Sequence, residues 1–509
     1  MNKLAIAFLI ITISLTSFSQ SGNLDLSFGI AGKVTTAVGN GNDVGSAIAV
    51  QSDGKIVVTG NTYNGTNFDI VVLRYNTNGT LDNTFGTSGK VTTAIGSGTE
   101  TGNAVAVQTD GKIIVAGYSY TGTNADFAVV RYNANGTLDN TFGTLGKVVT
   151  PIGSAADIAY GMVLQADGKI VLVGNSLNGT NSDFALVRYT TTGVLDATFG
   201  TGGKVTTPVG SSSDYAYSVL VQPDGKLIAG GWSNDGFNIN FALVRYTING
   251  GLDNSFGTAG IATATGGGAD NYGRCIALQA DGKVVMTGDV TNGADYNFGT
   301  TRFNSNGMVD NTFGTAGIVN TSLGSGDDDP YGLVVQRDGK ILVAGASFNG
   351  ANFDFASVRY LANGSMDNTY GNAGKVITSL GSGSDYCNAI LLQADNKVVL
   401  AGYSANGIND DVALLRYSNV LLGITKNNSS QNDWIIYPNP GEGVLQLKNI
   451  TSFRVDKVEV YNALGELVLI ENTVGDTCMQ IDLAKQPKGI YWIRVYTQNA
   501  ISCLRYQLF

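Results

Sequence analysis

Acidic side chains recur at a fixed interval of 57 residues along most of the chain. They directly precede an apolar segment at Asp43, Glu100, Asp157, Asp214, Asp328 and Asp385, and the neutral Asn271 takes this position in the remaining copy. Carboxylates gathered at short range need a positive partner, so this ring of residues could bind a cation or an amine. Alternatively, each side chain caps a turn or ties neighbouring units together by hydrogen bonds. Repetition in almost every copy favours this second, structural interpretation.

Aromatic residues occupy positions that differ between copies, and specificity needs such differences. One position holds Tyr160, Tyr217, Arg274 and Tyr331, where the other copies have Ser46, Asn103 and Asn388. Two residues earlier lie Tyr215, Tyr272 and Tyr386, and a further position holds Tyr118, Trp232 and Tyr403. We expect these residues to form an aromatic rim on the face that carries the carboxylates. Such a rim suits a carbohydrate or peptide ligand, and aromatic packing between loops is the alternative.

The sequence contains no histidine. This excludes Ser-His-Asp and Cys-His nucleophilic sites and zinc sites with histidine ligands. Paired-carboxylate chemistry remains open, provided that two carboxyl groups lie about 5 to 9 Å apart. We therefore expect a binding or adhesion module without catalysis. The alternative is a glycan-active hydrolase or lyase, whose residues would be Asp157, Asp214 and Asp328 with Tyr217 or Tyr331.

No cofactor is expected from the residue pattern. The run Asp327-Asp328-Asp329-Pro330 offers a weak Ca²⁺ contact, but it lacks the spacing of an EF-hand loop. The formal net charge is −10, from 40 acidic and 30 basic residues, which disfavours a nucleic-acid partner. We expect a monomer.

The first residues have the pattern of an export signal. Lys3 supplies a positive charge, the segment from Leu4 to Leu15 is apolar, and Ser17-Phe18-Ser19 fits a cleavage site between small residues. We assign residues 1–19 to a signal peptide. No later segment reaches the about 18 apolar residues of a spanning helix, so none is expected in the mature chain.

Three sequence anchors repeat with the same interval. Leu24-Asp25-Leu26-Ser27-Phe28-Gly29 recurs from Leu81 onward, Gln51-Ser52-Asp53-Gly54-Lys55 from Gln108 onward, and Arg74-Tyr75 from Arg131 onward. Each copy contains apolar runs separated by turn signals such as Asp53-Gly54, which predicts four short strands. Four strands per repeat of this length are typical of a β-propeller blade.

The ends of the repeat region predict a closed ring. After the predicted signal peptide, the mature chain begins with the Leu-Asp-x-Ser-Phe-Gly element, which is the last element of a repeat. The final repeat ends after Arg416-Tyr417 and lacks this element. Residues 24–37 can therefore supply the missing outer strand of the last blade. The prediction is an all-β, seven-bladed propeller over residues 20–420. The anchors resemble the delta-60 repeat, a β-propeller family, and this resemblance implies the fold without a catalytic activity.

A second, smaller module follows a polar linker at residues 421–434. About seven short strands in residues 435–509 predict a small β-sandwich. The segment resembles a type A sorting domain of the type IX secretion system, with matching motif residues at Tyr437, Pro438, Asn439, Pro440, Gly465, Gly489 and Tyr491.

The resemblance to a sorting domain implies a partner and a location. The partner is the type IX secretion machinery, and the destination is the cell surface or the medium, with the domain removed afterwards. The family is largely confined to the Bacteroidetes. One departure is Arg505, which stands where the family often has a lysine. The alternative is an ordinary sandwich domain appended for binding.

Overall fold

The computed structural model describes residues 21–418 except 121, 123, 267 and 269, and residues 434–509 except 450–455, 463–465, 472–477 and 497–500. The predicted signal peptide, residues 421–433 of the predicted linker and Gly465 lie outside the described residues. The chain forms two compact units, Met1–Val420 and Leu421–Phe509. The elements in the described ranges are β-strands. Within those ranges no helix is long and apolar enough to cross a bilayer.

The first unit consists of antiparallel sheets that follow chain order from an inner to an outer strand, except that the last sheet takes its outer strand from the N-terminal segment. The inner strands are Asp43–Val50, Glu100–Val107, Asp157–Leu164, Asp214–Val221, Asn271–Leu278, Asp328–Val335 and Asp385–Leu392. The second strands are Ile56–Tyr63, Ile113–Tyr120, Ile170–Leu177, Leu227–Asn234, Val284–Thr291, Ile341–Phe348 and Val398–Ala405. We call the sheets blades 1 to 7 in the order of these strands.

The third and outer strands complete each blade. The third strands are Phe68–Tyr75, Ala125–Tyr132, Ser182–Tyr189, Ile239–Tyr246, Tyr296–Phe303, Phe353–Tyr360 and Asp410–Ser418. The outer strands are Lys90–Thr93, Lys147–Thr150, Lys204–Thr207, Ile261–Ala264, Ile318–Thr321, Lys375–Thr378 and Lys33–Thr36. The predicted all-β propeller of repeated four-stranded sheets is confirmed.

The ring closes through the N-terminal segment. Lys33–Thr36 pairs with the third strand of blade 7, where Lys33 lies opposite Leu415, and Asn23–Leu24 pairs with the same strand. The inner strand of blade 7 packs against that of blade 1, as each inner strand packs against the next. Closure therefore covers the edge of the third strand of blade 7, which would otherwise be free to pair with another chain.

The blades pack face to face because their central strands are apolar on both sides. Val58 of blade 1 and Leu414 of blade 7 share one buried cluster, and a comparable cluster lies between other neighbouring blades. The third strand of blade 2 is buried along its whole length, from Ala125 to Tyr132. This burial explains why the strands have continuous Val, Ile and Leu runs rather than alternating ones.

The three sequence anchors converge on one buried arginine in each blade. In blade 3, Nε of Arg188 donates to Asp196 at 2.9 Å, and Lys169 reaches the same carboxylate at 3.2 Å. The guanidinium also lies 4.5 Å from the centre of the Phe199 ring. The Leu-Asp-x-x-Phe-Gly, Arg-Tyr and Asp-Gly-Lys segments are therefore one interaction unit inside the blade.

The same arginine connects each blade to the next one. Its Nη1 donates to an oxygen atom in the following blade or, for Arg359, in the N-terminal segment. The pairs are Arg74–Ala134, Arg131–Thr191, Arg188–Ile248, Arg245–Ser305, Arg302–Ala362, Arg359–Ser21 and Arg416–Thr77. The last pair returns from blade 7 to blade 1, so these hydrogen bonds form a closed circle around the ring.

The carboxylate at the ring closure is strongly stabilised in its ionised form. Burial by itself raises the pKa of Asp25, but hydrogen bonds from Ser27 and Lys397 and the charge of Arg416 outweigh it and lower the pKa to about 2. The unfolded chain has an ordinary aspartate pKa near 4. The interaction therefore stabilises the fold above about pH 4 and is lost as the pH falls towards 2.

The second unit contains two small sheets. One is formed by Trp434–Tyr437, Val444–Asn449 and Cys478–Asp482, and the other by Leu467–Glu471, Lys457–Tyr461, Gly489–Tyr496 and Ile501–Leu508. One shared hydrophobic core, which includes Leu447, Val460 and Ile493, lies between them. This arrangement agrees with the small β-sandwich expected from the sequence.

Candidate functional site

Every inner strand has a β-bulge at the same place. The register with the second strand shifts across one residue in each blade, and the bulged residues are Ser46, Asn103, Tyr160, Tyr217, Arg274, Tyr331 and Asn388. A bulge leaves its extra residue outside the ladder and redirects its side chain. The bulged residues occupy the position at which the copies differ in sequence.

A glycine in the second strand makes each bulge possible. A Cβ atom on Gly231 would lie only 1.9 Å from the carbonyl oxygen of Tyr215, and one on Gly60 would lie 1.8 Å from that of Val44. The same close approach occurs in all the blades, with separations of 1.8 to 2.0 Å. The glycine therefore allows the inner strand to press against the second strand where it bulges.

The seven bulged residues all line one cavity of about 340 Å³ in the central channel. Tyr160, Tyr217, Arg274 and Tyr331 belong to consecutive blades, so the bulky side chains occupy one side of the channel. The other side has small side chains, of which Asn388 donates to a backbone carbonyl of the next blade at 2.9 Å. The channel is therefore asymmetric, although the blades that build it are similar.

The aromatic residues of blades 3 to 5 form a continuous group. The ring centres of Tyr160 and Tyr217 lie 4.5 Å apart, and Tyr215 stacks on Trp232 at 4.5 Å. Trp232 in turn meets Tyr272 edge to face at 5.4 Å. All five residues are only half-buried, so parts of their surfaces remain available to a ligand.

Arg274 links this group to blade 6. Its guanidinium lies 5.2 Å from the ring centre of Tyr217 and 5.6 Å from that of Tyr331. Its Nε and Nη2 atoms donate to one oxygen of Asp289 at 3.0 and 2.6 Å. The ion pair fixes the guanidinium between the two tyrosines, where its charge interacts with both rings.

Tyr386 belongs to a separate aromatic group. It stacks on Tyr403 with 5.2 Å between ring centres and lies 4.7 Å from Phe353. Of the eight candidate ligand-binding residues, seven form one connected group and Tyr386 belongs to another; Tyr160, Tyr217, Arg274 and Tyr331 line the cavity, whereas Tyr215, Trp232, Tyr272 and Tyr386 are not among its lining residues.

Sequence reasoning missed the charged residue Asp289 and considered Asp329 only as a weak Ca²⁺ contact. Asp289 takes the repeat position of Trp232 and Tyr403, and Asp329 takes that of Tyr215 and Tyr386. Burial and the charge of Asp289 raise the pKa of Asp329 to about 7. The alignment of the copies contained the signal, because a carboxylate replaces an aromatic residue at each position.

The acidic ring residues are buried rather than exposed at the channel. Asp43, Glu100, Asp157, Asp214, Asp328 and Asp385 have no exposed surface. Each accepts a hydrogen bond from a backbone amide of the preceding loop, for example Asp157 from Ile152 at 2.6 Å and Asp214 from Val209 at 2.8 Å. None of them is among the residues that line the 340 Å³ cavity. This geometry corresponds to the structural interpretation, in which each side chain caps a loop.

Burial is the main cause of the raised pKa of three of these acidic residues. It raises the pKa of Glu100, Asp214 and Asp328, while hydrogen bonds from backbone amides act in the opposite direction. Within the described residues, no group of three or more His, Cys, Asp or Glu side chains is placed to hold a metal ion.

Two motif residues of the second unit, Asn439 and Tyr491, make hydrogen bonds within the domain. Nδ2 of Asn439 donates to the Arg505 carbonyl at 2.7 Å, and its Oδ1 accepts from the Gln507 amide at 3.1 Å. Tyr491 is buried, and its hydroxyl donates to the carbonyl of Pro487. The Tyr-Pro-Asn-Pro segment is thus fastened to the last strand of the domain.

Comparison with family models identifies both units. The model described as "Domain of unknown function (DUF5122) beta-propeller" matches residues 51–85, 108–142, 165–199, 222–256, 279–313 and 336–370. The model "Secretion system C-terminal sorting domain" matches residues 435–505. The chain is a DUF5122 β-propeller protein with a secretion sorting domain. The resemblance to delta-60 repeats and to a type IX sorting domain is confirmed.

The closure of the ring explains why the family model matches six segments of this DUF5122 protein. Each segment runs from a Gln anchor to the Phe or Tyr of the next anchor. The corresponding segment of blade 7 is divided, because it starts at Gln393 and ends at Phe28 near the other end of the chain. The sorting domain indicates export to the cell surface or secretion.

Similarity to individual proteins is distant. Outer membrane protein A of Rickettsia rickettsii is 26% identical over 472 residues, which cover 84% of this chain and 19% of that protein. The Drosophila Semaphorin 1b extracellular domains have a TM-score of 0.39 at 7% identity, covering 78% of this chain and 87% of theirs. The polysaccharide lyase Uly1 has a TM-score of 0.37 at 12% identity, covering 89% and 99%. At these TM-scores the structural likenesses carry no functional information.

Proposed function

We propose that this exported propeller is a non-catalytic binding or adhesion module, and that it binds a carbohydrate or peptide at the aromatic side of its channel. The observation that carries the proposal is the placement of the bulged residues. The fold directs one strongly variable position of the repeat into the channel, while the repeated anchors serve packing. A surface that differs between blades is what specific recognition requires.

The nature of the lining residues supports binding. Tyr217 and Tyr331 offer broad apolar faces with polar edges, and Arg274 between them offers hydrogen-bond donors. Aromatic and arginine side chains commonly dominate the affinity of recognition sites. A cavity of about 340 Å³ is within the size range of small-ligand sites.

The buried carboxylates argue against the hydrolase or lyase alternative. Asp157, Asp214 and Asp328 accept backbone hydrogen bonds and have no exposed surface. A general acid or nucleophile must reach the substrate bond, so these three residues are poorly placed for glycosidic chemistry.

Substitution of Tyr217 provides the test of this function. The protein without its predicted signal peptide is screened against arrays of glycans and peptides, and each binder is then titrated against Tyr217→Ala. We expect the affinity to fall about tenfold or more, because the variant removes a central ring of the site.

The matched control is Tyr63→Ala, which removes an exposed tyrosine of blade 1 outside the cavity lining. The control should bind as the unmodified protein does. Equal affinities of all three proteins for every binder would contradict a channel site. Chemical conversion of any binder would overturn the non-catalytic part of the proposal.

A further inference from the structure

Arg274 is the charged side chain of the channel cavity. Among the described residues that line this cavity, it is the one Asp, Glu, Lys or Arg. Tyr217 and Tyr331 flank it, with their ring centres 5.2 and 5.6 Å from the guanidinium carbon. The Arg274 side chain is 24% exposed, so it is held in place and remains accessible. A cavity whose one charged lining group is positive is complementary to a ligand with a negative group.

The ion pair with Asp289 uses one edge of this guanidinium. Nε and Nη2 donate to the same carboxylate oxygen at 3.0 and 2.6 Å, and Asp289 is buried and is not among the lining residues. In the described part of the chain, no residue accepts a hydrogen bond from Nη1. Because the N–H donors of a guanidinium have a fixed planar arrangement, the paired edge orients the other one. The Nη1 edge is therefore preorganised to bind a ligand oxygen.

Tyrosine hydroxyl groups add donors on the same side of the cavity. Tyr160 and Tyr331 belong to the lining residues, together with Arg274. Burial raises the pKa of both tyrosines well above the ordinary value, so their hydroxyls keep their protons and can donate at neutral pH. A carboxylate has two oxygens and accepts several hydrogen bonds at once. This side of the channel thus presents hydrogen-bond donors that suit a carboxylate.

The other side of the channel presents acceptors. Its bulged residues are Ser46, Asn103 and Asn388 of blades 1, 2 and 7. Nδ2 of Asn103 donates to the Ala159 carbonyl at 2.8 Å, and Nδ2 of Asn388 donates to the Gly45 carbonyl at 2.9 Å. These bonds fix the two amide groups, and no described residue donates to either Oδ1 atom. Both Oδ1 atoms can therefore accept a hydrogen bond from a ligand hydroxyl.

We propose that the channel cavity binds a uronate unit of an acidic glycan. The inference rests on the proposed binding function and names its ligand class. The ligand carboxylate accepts hydrogen bonds from Nη1 of Arg274, and the ring hydroxyls donate to Oδ1 of Asn103 and Asn388. A uronate carries its carboxylate and several hydroxyls on one sugar ring, so a single unit can bind both sides of the channel.

Other classes of ligand use only part of this cavity. A neutral sugar brings hydroxyls but no anion, so the Nη1 edge of Arg274 would lose water without gaining a charged partner. An acidic peptide brings carboxylates, but its Asp and Glu side chains offer no hydroxyl donors to the two amide oxygens. A basic ligand would place its cation beside the guanidinium. The cavity of about 340 Å³ is small, which suits a short stretch of a glycan chain.

The test measures binding of fluorescein-labelled tetrasaccharides to the protein without its predicted signal peptide. The tetrasaccharides contain galacturonate, mannuronate, guluronate, or glucuronate alternating with N-acetylglucosamine, so the result does not depend on one sugar stereochemistry. Each is compared with its methyl ester, which keeps the hydroxyls and removes the negative charge. Tetraglutamate is the peptide probe.

The variant combines Arg274→Gln with Asp289→Asn. Removal of both partners avoids a buried, unpaired carboxylate, which would by itself destabilise the blade. The control combines Arg337→Gln with Asp338→Asn, the same substitutions at exposed residues outside the cavity lining. Thermal melting checks that both proteins are folded. The comparison with the methyl esters uses the unmodified protein and stays valid if the variant does not fold.

We expect at least one of the uronate tetrasaccharides to bind, and its methyl ester to bind about tenfold more weakly or worse. The variant with Arg274→Gln and Asp289→Asn should lose affinity for that tetrasaccharide by a similar factor. The control variant should bind it as the unmodified protein does.

Four results would overturn the proposal. They are no binding of any uronate tetrasaccharide, equal affinities for a tetrasaccharide and its methyl ester, equal affinities of the variant and the control, and binding of tetraglutamate alone. Tyr217→Ala separates these failures from failure of the proposed function. If a neutral glycan or a peptide binds in a manner that depends on Tyr217, the channel is a recognition site and the uronate assignment is wrong. If no binder depends on Tyr217, the proposed channel site itself is wrong.

Discussion

Removal of residues 435–509 should keep the propeller from reaching the cell surface or the medium. These residues include the whole segment that matches the sorting domain, and the structure places them in a compact unit with its own hydrophobic core. In the described residues, each propeller sheet is built from strands of the first unit. The truncated chain should therefore fold as a propeller and accumulate within the cell envelope.

The measurement is immunoblotting of periplasmic, outer-membrane and medium fractions, with protease treatment of intact cells, in a host that has the secretion system. The control is Trp492→Ala, which changes a half-exposed residue of the sorting domain, whereas Tyr491→Ala removes its buried neighbour. Tyr491→Ala should impair export because it removes a core side chain, and Trp492→Ala should preserve the fold. Normal surface appearance of the truncated chain would show that the domain does not direct export.

Replacement of Arg188 with alanine lowers the free energy of unfolding of the propeller by about 3 to 5 kcal/mol. The side chain is 2% exposed and pairs with Asp196, whose carboxylate would stay buried without its main partner. The variant also removes the contact with the Phe199 ring and the hydrogen bond to the Ile248 carbonyl of the next blade. The loss thus affects one blade and its connection to the neighbouring blade.

Chemical denaturation followed by circular dichroism measures this effect. The matched control is Arg337→Ala, because Arg337 is exposed and occupies the variable second position of its Gln-x-Asp-Gly-Lys anchor, where Ala166 and Ala280 already stand in other copies. The control should change the free energy of unfolding by less than about 0.5 kcal/mol. Equal stability of Arg188→Ala and Arg337→Ala would mean that the circle of arginine contacts does not hold the blades together.

The fold was predictable because one unit is repeated without insertions. Each anchor, such as Arg74-Tyr75, recurs at a constant spacing, so a strand that is ambiguous in one copy can be predicted from the other copies. The closing strand was predictable for the same reason, since the last repeat lacks a segment that the first residues supply. The contacts that the anchor residues make could be identified only from the structure. One of them is the hydrogen bond from Arg416 to the Thr77 carbonyl across the ring closure.

The aromatic positions were also found from differences between copies, but their roles were less accessible. Sequence periodicity does not reveal a bulge, because the extra residue at Tyr217 leaves the spacing of the repeat unchanged. The second-strand glycine, such as Gly231, was the available signal, since the bulge requires its close approach to the inner strand.

The acidic positions show a different limit. The sequence placed Asp157 and Asp214 at the loop end of each inner strand but could not determine the direction of their side chains. Their oxygens accept backbone amides of the preceding loop, and this choice depends on the local path of the chain. Asp329 was considered only as a weak Ca²⁺ contact, because its neighbours Arg274 and Asp289 belong to another repeat.

The most direct test of the account is a crystal structure of the propeller with a ligand found in the screen. We expect density for the ligand in contact with Tyr217, Arg274 and Tyr331. A larger cavity of about 740 Å³ lies at the turns between blades 7 and 1, where Gln51 and Gln393 are repeated anchor residues. Ligand density in that cavity or on the outer strands, with an empty channel, would contradict the central claim.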